Sequence, residues 1–585
     1  MHSSVTSSYT LHCGRQAALP PKYMWRSLFA TGRSLTTSLR VPVASVDKRC
    51  FAMAQIHAAT ATRLKSLEDL QVTSSYTSEL PGDPVTENRL RQVENAFWSA
   101  ASPTPTQTDP YLVAFSQEMA EELELDPADI TRSLFAEVFT GNAPIPGSSS
   151  QTYAMRYGGH QFGSWAGQLG DGRVVNLGEV EGRNGQKWEL QLKGAGKTPY
   201  SRMADGRAVM RSSIREFIGS EAMYHLGVPT SRALSIAGTG ASVVRDMFYN
   251  GDIKYEPGAV VCRMAHSWVR FGSFQLPAAL EENDLVKQLA DYVVKHHYSH
   301  LQGKPDPYLG LLQEVISRTV KLVAKWQAVG FTHGVLNTDN MSILGETIDY
   351  GPFGFIERFD PNFTPNTTDF AGRRYAFRNQ PQVAQWNLMA LATSLVTVGL
   401  VEKEAAEEAL SLFSQELNTQ YTANMTAKLG LQKYNKDIAV DLLTNMYEDK
   451  TDFTNTFRSL ASVQPEDSSE DLPGPLQEAV GKELTPERQQ AWKQWLGQYK
   501  AALQAEGQSH EQRIQTQNSA NPCYIPRNHL LQKSIEQAEA GDFSEVNRFM
   551  QVLKKPYEQQ EGCEVYTEPA PVEVRMGVEC LSCSS

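Results

Sequence analysis

Three neighbouring polar residues near the middle of the chain could support phosphate chemistry. Asp339 and Asn340 lie side by side in the segment FTHGVLNTDNMSILGETIDYGPFGF (331–355), and Asp349 follows nine residues after Asn340. Amide and carboxylate oxygens such as those of Asn340 and Asp349 are ligands that suit a hard divalent cation. The Asp339 carboxylate could accept a proton. A turn rich in Asn and Asp is the alternative interpretation.

The spacing within this segment resembles a protein kinase catalytic loop, with one departure. In H-R-D-x-x-x-x-N the base stands two positions after the His and the metal-binding Asn seven positions after it. Counted from His333, the seventh position is Asn340, but the second is Val335, which cannot act as a base. Asp349-Tyr350-Gly351 resembles the D-F-G element, whose Asp binds Mg²⁺. The sequence therefore predicts a metal-nucleotide site in which Asp339 is the nearest replacement for the missing aspartate.

A glycine-rich stretch, YGGHQFGSWAGQLGDGR (157–173), supplies a candidate phosphate loop. Gly170 and Gly172 would let the backbone approach a ligand closely and present N–H groups to it. Arg173 follows at once and adds a cation. A tight β-turn is the alternative for such a loop.

Two further elements could hold a lysine–glutamate pair. Strand alternation in QKWELQLK places Lys193 on the face opposite Leu190 and Leu192, where a kinase places its phosphate-binding lysine. The run 207–226 predicts a helix carrying Glu216, the expected partner, with Glu221 as a rival. A surface lysine and a surface glutamate are the alternative for each residue taken alone. GAGKT (194–198) lacks the spacing of a P-loop.

The elements around these residues predict an α+β fold. Residues 174–193 read as two strands joined by a turn containing Asn184-Gly185, and short strands are expected in 232–238, 242–248 and 258–264. The chain is mostly helical from about residue 276, apart from 331–375. A small β-rich lobe with one key helix, followed by a large helical lobe, is the outline of a protein kinase. Residues 66–150 read as helices and loops, including a helical run at 86–100.

Composition limits the class of protein. The chain has 585 residues, 41% hydrophobic and 21% charged, with net charge −12 and only seven cysteines. This balance is typical of a globular protein and disfavours a general nucleic-acid binder or a disulfide scaffold. The longest apolar stretch, 386–401, is too short and too polar to span a membrane.

The first 65 residues differ from the rest. They hold nine Lys or Arg residues and one acid, Asp47, so they carry +8 while the remainder carries −20. Lys22, Arg26 and Arg33 share one side of a helical wheel. A basic, amphipathic leader is typical of a mitochondrial transit peptide, and a basic arm without a targeting role is the alternative. The expected divisions are 1–65 leader, 66–150 extension, 151–262 N-lobe, 263–540 C-lobe and 541–585 tail.

The whole set of motifs resembles the selenoprotein O family of kinase-like proteins. The likeness runs from about residue 70 to the C-terminus. It rests on the segments ELPGDP (79–84), YGGHQFGSWAGQLGDGR (157–173), 190–234, HGVLNTDNMSILGETIDYGPFGF (333–355), GRRYAFRNQPQVAQWNL (372–388) and NPCYIPRNHLLQKSIEQA (521–538).

The resemblance implies a function. ATP would bind a kinase-like fold in an inverted orientation, and AMP would pass to a protein Ser, Thr or Tyr hydroxyl, including the protein's own, with release of pyrophosphate. Asp339 would be the proton acceptor, with Asn340 and Asp349 holding Mg²⁺ or Mn²⁺. The nucleotide-binding residues implied are Gly170, Gly172, Arg173, Lys193, Asp205, Gly206, Glu216, Arg263, Arg270 and Asp349. Asp205 could instead cap the helix that follows it.

The C-terminal cysteines leave other functions open. Cys580 and Cys583 form a C-x-x-C pair, and Cys583 stands where selenocysteine occurs in some family members. A terminal dithiol can exchange with disulfides, which would suit a role in mitochondrial redox balance. An ordinary γ-phosphoryl kinase and a non-enzymatic nucleotide-binding redox scaffold are the alternatives to AMP transfer.

Overall fold

The computed structural model describes residues 64–246, 251–481 and 483–571. The basic leader, apart from Leu64 and Lys65, lies outside the described residues, as do Cys580 and Cys583. The described part is a mixed structure with one large sheet and many helices, as the α+β prediction requires. No helix in it is long and apolar enough to cross a membrane.

The main sheet is antiparallel, with the order β1-β3-β6-β7-β10-β9-β2 and β8 paired to β10. A separate hairpin is formed by β4 and β5, and β11 pairs with β12. The strands are β1 Trp98–Ala100, β2 Tyr111–Phe115, β3 Tyr153–Met155, β4 Gly158–Gln161, β5 Ser164–Gln168, β6 Val174–Glu181, β7 Lys187–Lys193, β8 Ala208–Val209, β9 Arg232–Asp246, β10 Ile253–Ala265, β11 Phe331–Thr332 and β12 Gly354–Phe355.

Short helices precede the sheet's central strands, and longer ones follow β10. They are α1 Ser75–Glu79, α2 Gln117–Glu122, α3 Pro127–Ile130, α4 Ser133–Thr140, α5 Met210–His225, α6 Phe271–Ala279, α7 Asn283–His297, α8 Pro307–Val329, α9 Gln380–Thr397, α10 Lys403–Ser411, α11 Phe413–Leu429, α12 Lys436–Asp449, α13 Phe453–Ser459, α14 Gly474–Val480, α15 Pro486–Glu506, α16 His510–Ala520, α17 Asn528–Glu539 and α18 Ser544–Leu553.

The hairpin β6–β7 forms as its sequence predicts. Val174 pairs with Lys193 and Glu181 with Lys187, and Gly185 adopts a positive φ of 71° in the turn. Leu190 and Leu192 are fully buried in the cluster that also includes Phe135 and Leu234. The opposite face of β7 is thereby directed toward α5.

Helix α5 is almost entirely buried, because the strands that follow it and two C-terminal helices cover it. It contacts β9 and β10 on the sheet and α17 and α18 from the C-terminal part. Its core residues Ile214, Phe217 and Ile218 share one apolar cluster with Leu531 and Phe549. This packing fixes the position of Glu216, which lies mid-helix.

Two predictions about secondary structure were wrong in detail. The segment 86–100 is not helical: Arg91 holds it in a loop by donating to Asp83 Oδ2 (2.8 Å) and to the Glu87 and Val85 carbonyls (both 2.7 Å). Its last residues then join the sheet as β1. The strands expected at 232–238 and 242–248 form one long strand, β9, because β10 pairs along its length with a local register shift.

Candidate functional site

The predicted lysine–glutamate pair is present at the junction of the sheet and α5. Lys193 Nζ lies 2.7 Å from Glu216 Oε2, and the two side chains are 12% and 4% exposed. Burial lowers the pKa of Lys193, and the Glu216 charge opposes that shift. Glu221 has other partners, since it forms an ion pair with Arg232 (2.7 Å) and accepts from Ser116 Oγ (2.6 Å).

Arg263 extends this pair toward the centre of the site. It lies on β10 opposite Gln191 of β7, and its guanidinium donates to the Gln191 side chain. Its Nη1 is 3.0 Å from Glu216 Oε1 and also contacts Asp349. The guanidinium packs over the Trp268 ring at 4.6 Å. Glu216 therefore joins two cations, of which Arg263 is the more buried.

Asp349 receives a second arginine on its other oxygen. Arg270 Nη1 is 2.6 Å from Asp349 Oδ2 and donates to the Asp339 carbonyl at 2.8 Å. Burial alone would raise the pKa of Asp349, but the charges of Arg270 and Arg263 hold it well below its usual value. Asp349 also adopts a positive φ of 59°, which is uncommon for a residue other than glycine. The surrounding contacts must compensate for that conformation.

The glycine loop adds one more cation. Gly170 has φ 84°, and a Cβ there would lie 2.5 Å from the Tyr200 ring, so the residues after β7 can pack on the loop only when position 170 is glycine. Arg173 follows, and burial lowers its pKa while the Glu216 carboxylate opposes that effect. Within the described part of the chain, the Arg173 guanidinium has no hydrogen-bond partner.

Asp205 and Gly206 lie in the loop 194–207 and outside the arginine network. Asp205 pairs with Arg245 (2.7 Å) and accepts the Arg207 N–H (2.9 Å). It does not cap α5, which begins at Met210. Gly206 packs on the Gly196 backbone so closely that a Cβ would clash. The Arg173 charge contributes to a lowered pKa of Asp205, so this loop lies within electrostatic reach of the site.

Asp339 sits in a short 3₁₀ turn, Thr338–Asn340, and is 6% exposed. Burial raises the pKa of Asp339 to about 6. Its Oδ2 accepts from Gln161 Nε2 at 3.2 Å, and its Oδ1 is buried with no hydrogen-bond partner in the described structure. A carboxylate with a raised pKa beside a cluster of cations is suited to general-base work.

Asn340 offers one side-chain oxygen to the site. Its Nδ2 donates to the Val335 carbonyl at 2.8 Å, which fixes the amide orientation. Arg270 bonds both the Asp339 backbone and Asp349, so it brings Asn340's turn next to Asp349. Across the described residues no group of three His, Cys, Asp or Glu side chains is placed to hold a metal ion. Asn340 and Asp349 supply only two side-chain ligands, and such a pair can bind Mg²⁺ when phosphate and water supply the other oxygens.

Sequence reasoning missed two glutamines. Gln191 holds Arg263, and Gln161 holds Asp339. Alternation on β7 placed Gln191 on the same face as Lys193, so that signal was available. Gln161 lies within the glycine-rich stretch, but its contact with a residue 178 positions away has no sequence signal.

Together these side chains form a charged cluster between the sheet and the helices. Four cations, Arg173, Lys193, Arg263 and Arg270, face three carboxylates, Glu216, Asp339 and Asp349. A site with such a cation excess, organised around forked guanidinium groups, favours phosphate oxygens. The arrangement is therefore suited to a class of protein that binds phosphorylated ligands, with a buried carboxylate beside the cations.

Comparison with known proteins gives the family. The family model described as protein adenylyltransferase SelO matches residues 85–554. The chain is 46% identical over 519 residues to "Protein nucleotidyltransferase YdiU" of Methylobacillus flagellatus, covering 87% of this chain and 99% of that protein. The protein of the same name from Xanthomonas euvesicatoria is 48% identical over 516 residues (87% and 98%). The chain belongs to the SelO family of protein adenylyltransferases.

The comparisons contradict the expected mitochondrial localisation. The relatives from Methylobacillus, Xanthomonas and Rhodopirellula baltica are bacterial proteins that match over 98–99% of their own length, and bacteria have no mitochondria. The expectation rested on the basic composition of the leader. Composition of that kind is shared by basic arms without a targeting role, so it could not establish a compartment.

Proposed function

We propose that this protein transfers AMP from ATP to hydroxyl groups of proteins. The family and the curated relatives support a nucleotidyltransferase, and the adenylyltransferase reaction uses ATP. The observation that carries the assignment in this chain is the continuous chain of contacts Lys193–Glu216–Arg263–Asp349–Arg270 beside Asp339. These contacts bring the cations and a candidate base into one cleft.

The arrangement supports a kinase-like fold with the nucleotide inverted. Lys193, Glu216, Asn340 and Asp349 would take the roles that the kinase motifs predict, whereas the usual base position is Val335. Arg263 and Arg270, which are 2% and 1% exposed, would grip the terminal phosphates deep in the cleft. Gly170, Gly172 and Arg173 would contact phosphates from the loop, and Asp205 with Gly206 would close the site at its outer side.

The reaction then balances as an AMP transfer. The acceptor hydroxyl oxygen attacks the α-phosphorus, and the bond between that phosphorus and the α,β-bridging oxygen breaks. The hydroxyl proton passes to the Asp339 carboxylate. Pyrophosphate leaves, and the guanidinium groups stabilise the charge that develops on it. Ser, Thr and Tyr side chains of protein substrates, and of the protein itself, are the acceptors in this proposal.

Asn340 and Asp349 would hold the divalent cation, Mg²⁺ or Mn²⁺. Each Asp349 oxygen already accepts an arginine, but a carboxylate has about four acceptor sites, which leaves room for a metal. When bound, the ion would neutralise phosphate charge and polarise the P–O bond that breaks. The chain's own contribution is to orient the Asn340 oxygen through Val335 and to keep Asp349 ionised.

Domain boundaries follow the same scheme, with N-lobe 151–262, C-lobe 263–540 and a tail beyond 540. The extension 66–150 supplies β1 and β2, which form the two edges of the main sheet. The proposed N-lobe would therefore depend on the extension for a complete sheet, and removing residues before 151 would expose two unpaired strands.

Labelled ATP tests the proposal. The full chain is incubated with Mg²⁺ and a generic protein acceptor, with ATP labelled at the α- or the γ-phosphate. Label retained only from α-ATP, and a mass gain equal to AMP in the intact acceptor, are the expected results. Label retained only from γ-ATP would mean ordinary phosphoryl transfer and would overturn the proposal. Intact mass of the protein itself shows whether it is also an acceptor.

A further inference from the structure

The β4–β5 hairpin lies directly on the turn that carries Asp339. Its backbone is fixed there by hydrogen bonds to that turn: the His160 N–H donates to Thr338 Oγ1 (2.8 Å), and the Phe162 N–H donates to Asn337 Oδ1 (3.2 Å). The Phe162 N–H also donates to the Tyr375 hydroxyl at 2.8 Å. These contacts hold the hairpin against the candidate base.

The hairpin backbone lies so close to the Thr338–Asn340 turn that position 159 has no room for a side chain. A Cβ on Gly159 would lie 2.6 Å from Thr338 Oγ1 and 3.4 Å from Asp339 Oδ1. The Gly159 backbone therefore covers the Oδ1 side of the Asp339 carboxylate, and this oxygen is buried without a partner in the described structure.

The tip of the hairpin carries conformational strain. Phe162 has φ 52°, in the left-handed region that a bulky side chain rarely adopts. Its ring remains 39% exposed, so burial of the ring does not account for that conformation. Strain of this kind persists where surrounding contacts over-determine the backbone, as they do at functional sites. The residue directly before it, Gln161, is the one whose amide reaches the Asp339 carboxylate.

We infer that Gln161 is a positioning residue that orients the Asp339 carboxylate for proton transfer. Gln161 Nε2 lies 3.2 Å from Asp339 Oδ2, and no other side chain in the described structure donates to either oxygen of this carboxylate. Arg270 contacts Asp339 through the backbone carbonyl, and its other hydrogen bond goes to Asp349. The rotation of the carboxylate is therefore set by one amide. This inference rests on the proposed role of Asp339 as base.

A primary amide suits this task better than a cation would. A lysine or arginine at 161 would form an ion pair with the base and reduce its ability to accept a proton. The glutamine amide donates one neutral hydrogen bond and leaves the second lone pair of Oδ2 for the acceptor hydroxyl. The side-chain carbonyl oxygen of Gln161 also stays available to accept a hydrogen bond from a donor close to the acceptor hydroxyl in the protein substrate.

Gln161→Met in the full chain tests the inference. Methionine keeps the length and volume of glutamine and removes the donor. The expected result is a fall of at least about tenfold in kcat for AMP transfer, because a misoriented catalytic group loses rate steeply, with the KM for ATP within about twofold of the wild type. Ser164→Ala, which changes an exposed residue on the same hairpin, is the matched control and should leave both parameters unchanged.

A double variant separates positioning from hairpin stability. In an Asp339→Asn background, adding Gln161→Met should slow single-turnover AMP transfer by less than about twofold, since there is no longer a base to orient. A further loss equal to that in the wild-type background would show that Gln161 acts on the hairpin alone and would overturn the inference. An unchanged or increased kcat in Gln161→Met would overturn it as well.

The same assay distinguishes this inference from the proposed function. If the wild type retains no α-label on the acceptor, the AMP-transfer proposal fails, whatever the variants do. If the wild type retains α-label and Gln161→Met does so at the same rate, only the positioning role of Gln161 is refuted.

Discussion

Replacing Asp349 by Asn should separate three effects of this carboxylate: on AMP transfer, on the stability of the ligand-free protein and on the affinity for ATP. Its two oxygens take Arg263 and Arg270, whose side chains are 2% and 1% exposed. Asn keeps the volume and removes the charge. We expect AMP transfer to be lost, the ligand-free protein to be less stable, and metal-free ATP to bind more tightly.

The loss of stability follows from the burial of the two arginines. Removing one member of a buried ion pair costs about 3–5 kcal/mol, because the partner charge stays buried without compensation. Cooperative unfolding of roughly 500 residues has an entropy of about 1 kcal/mol/K, so the melting temperature should fall by about 3–5 °C. Glu216 still neutralises Arg263, which places the expected value toward the lower end of that range.

Tighter metal-free ATP binding follows from the same electrostatics. In the wild type without divalent cation, the triphosphate must displace or repel Asp349 to reach the guanidinium groups. With Asn at 349 the arginines are available to the phosphates, and we expect affinity in EDTA to rise by at least about tenfold, or about 1.4 kcal/mol. Added Mg²⁺ should strengthen ATP binding to the wild type and have much less effect on the variant, because one metal ligand has lost its charge.

The measurements are thermal unfolding with and without ATP, calorimetric titration in EDTA and in Mg²⁺, and α-label transfer. Glu282→Gln is the matched control, since Glu282 forms a buried ion pair with Arg156 (2.7 Å), and in the described structure Arg156 has no hydrogen bond or ion pair to the charged residues of the site. It should lower the melting temperature without altering the response to ATP. Retained AMP transfer in Asp349→Asn, or an unchanged melting temperature, would refute the reasoning.

Four other changes test the site and the fold. Asp339→Ala should slow AMP transfer by about 10²–10⁴-fold with little change in ATP affinity, measured by single-turnover labelling, and near-normal transfer would exclude a general base at this position. Glu216→Gln should lower kcat, because Lys193 and Arg263 lose the shared carboxylate that fixes their positions, and a wild-type kcat in α-label transfer would contradict that. Gly170→Ala should destabilise the protein, because the Cβ meets a buried ring at 2.5 Å and φ is positive, as a lower melting temperature would show. Lys428→Met should stabilise the protein, because burial lowers the pKa of Lys428 to about 7 and the wild type therefore gains stability as the pH rises from 7 toward 10.5. The variant should lose this pH dependence and gain at most about 4 kcal/mol at pH 7, which melting curves across that pH range would show.

Local periodicity predicted those parts of the site that lie on regular elements. Alternation along β7 placed Lys193 opposite the buried leucines, and the helix of residues 207–226 placed Glu216 mid-helix, and their side chains meet at 2.7 Å. The motif spacing gave Asn340 and Asp349. The Lys193–Glu216 contact is as the two local patterns predict, whereas the roles of Asn340 and Asp349 stay predictions.

The contacts between segments that are distant along the chain could not be predicted from the sequence. Nothing in Arg263 or Arg270 alone shows that both bond Asp349, 86 and 79 residues away. The segment 86–100 shows the same difficulty. Its sequence favours a helix, whereas Arg91 donates to four loop oxygens and the last residues pair in the sheet. Tertiary contacts overrode local propensity there.

The burial of each cation indicates which end of a bound ATP would lie innermost. Arg263 and Arg270 are nearly inaccessible to solvent, whereas Arg173 is only partly buried and Asp205, at the outer loop, is 44% exposed. The terminal phosphates of ATP carry the highest charge density, and charge is stabilised best where forked donors are fixed and water is excluded. Binding of the terminal phosphates at Arg263 and Arg270 would leave the α-phosphorus farther out, toward an acceptor. An orientation with adenine at the arginines would instead bury two guanidinium charges against an uncharged ring. It would leave the triphosphate with only Arg173 and Lys193, and Lys193 is already paired with Glu216.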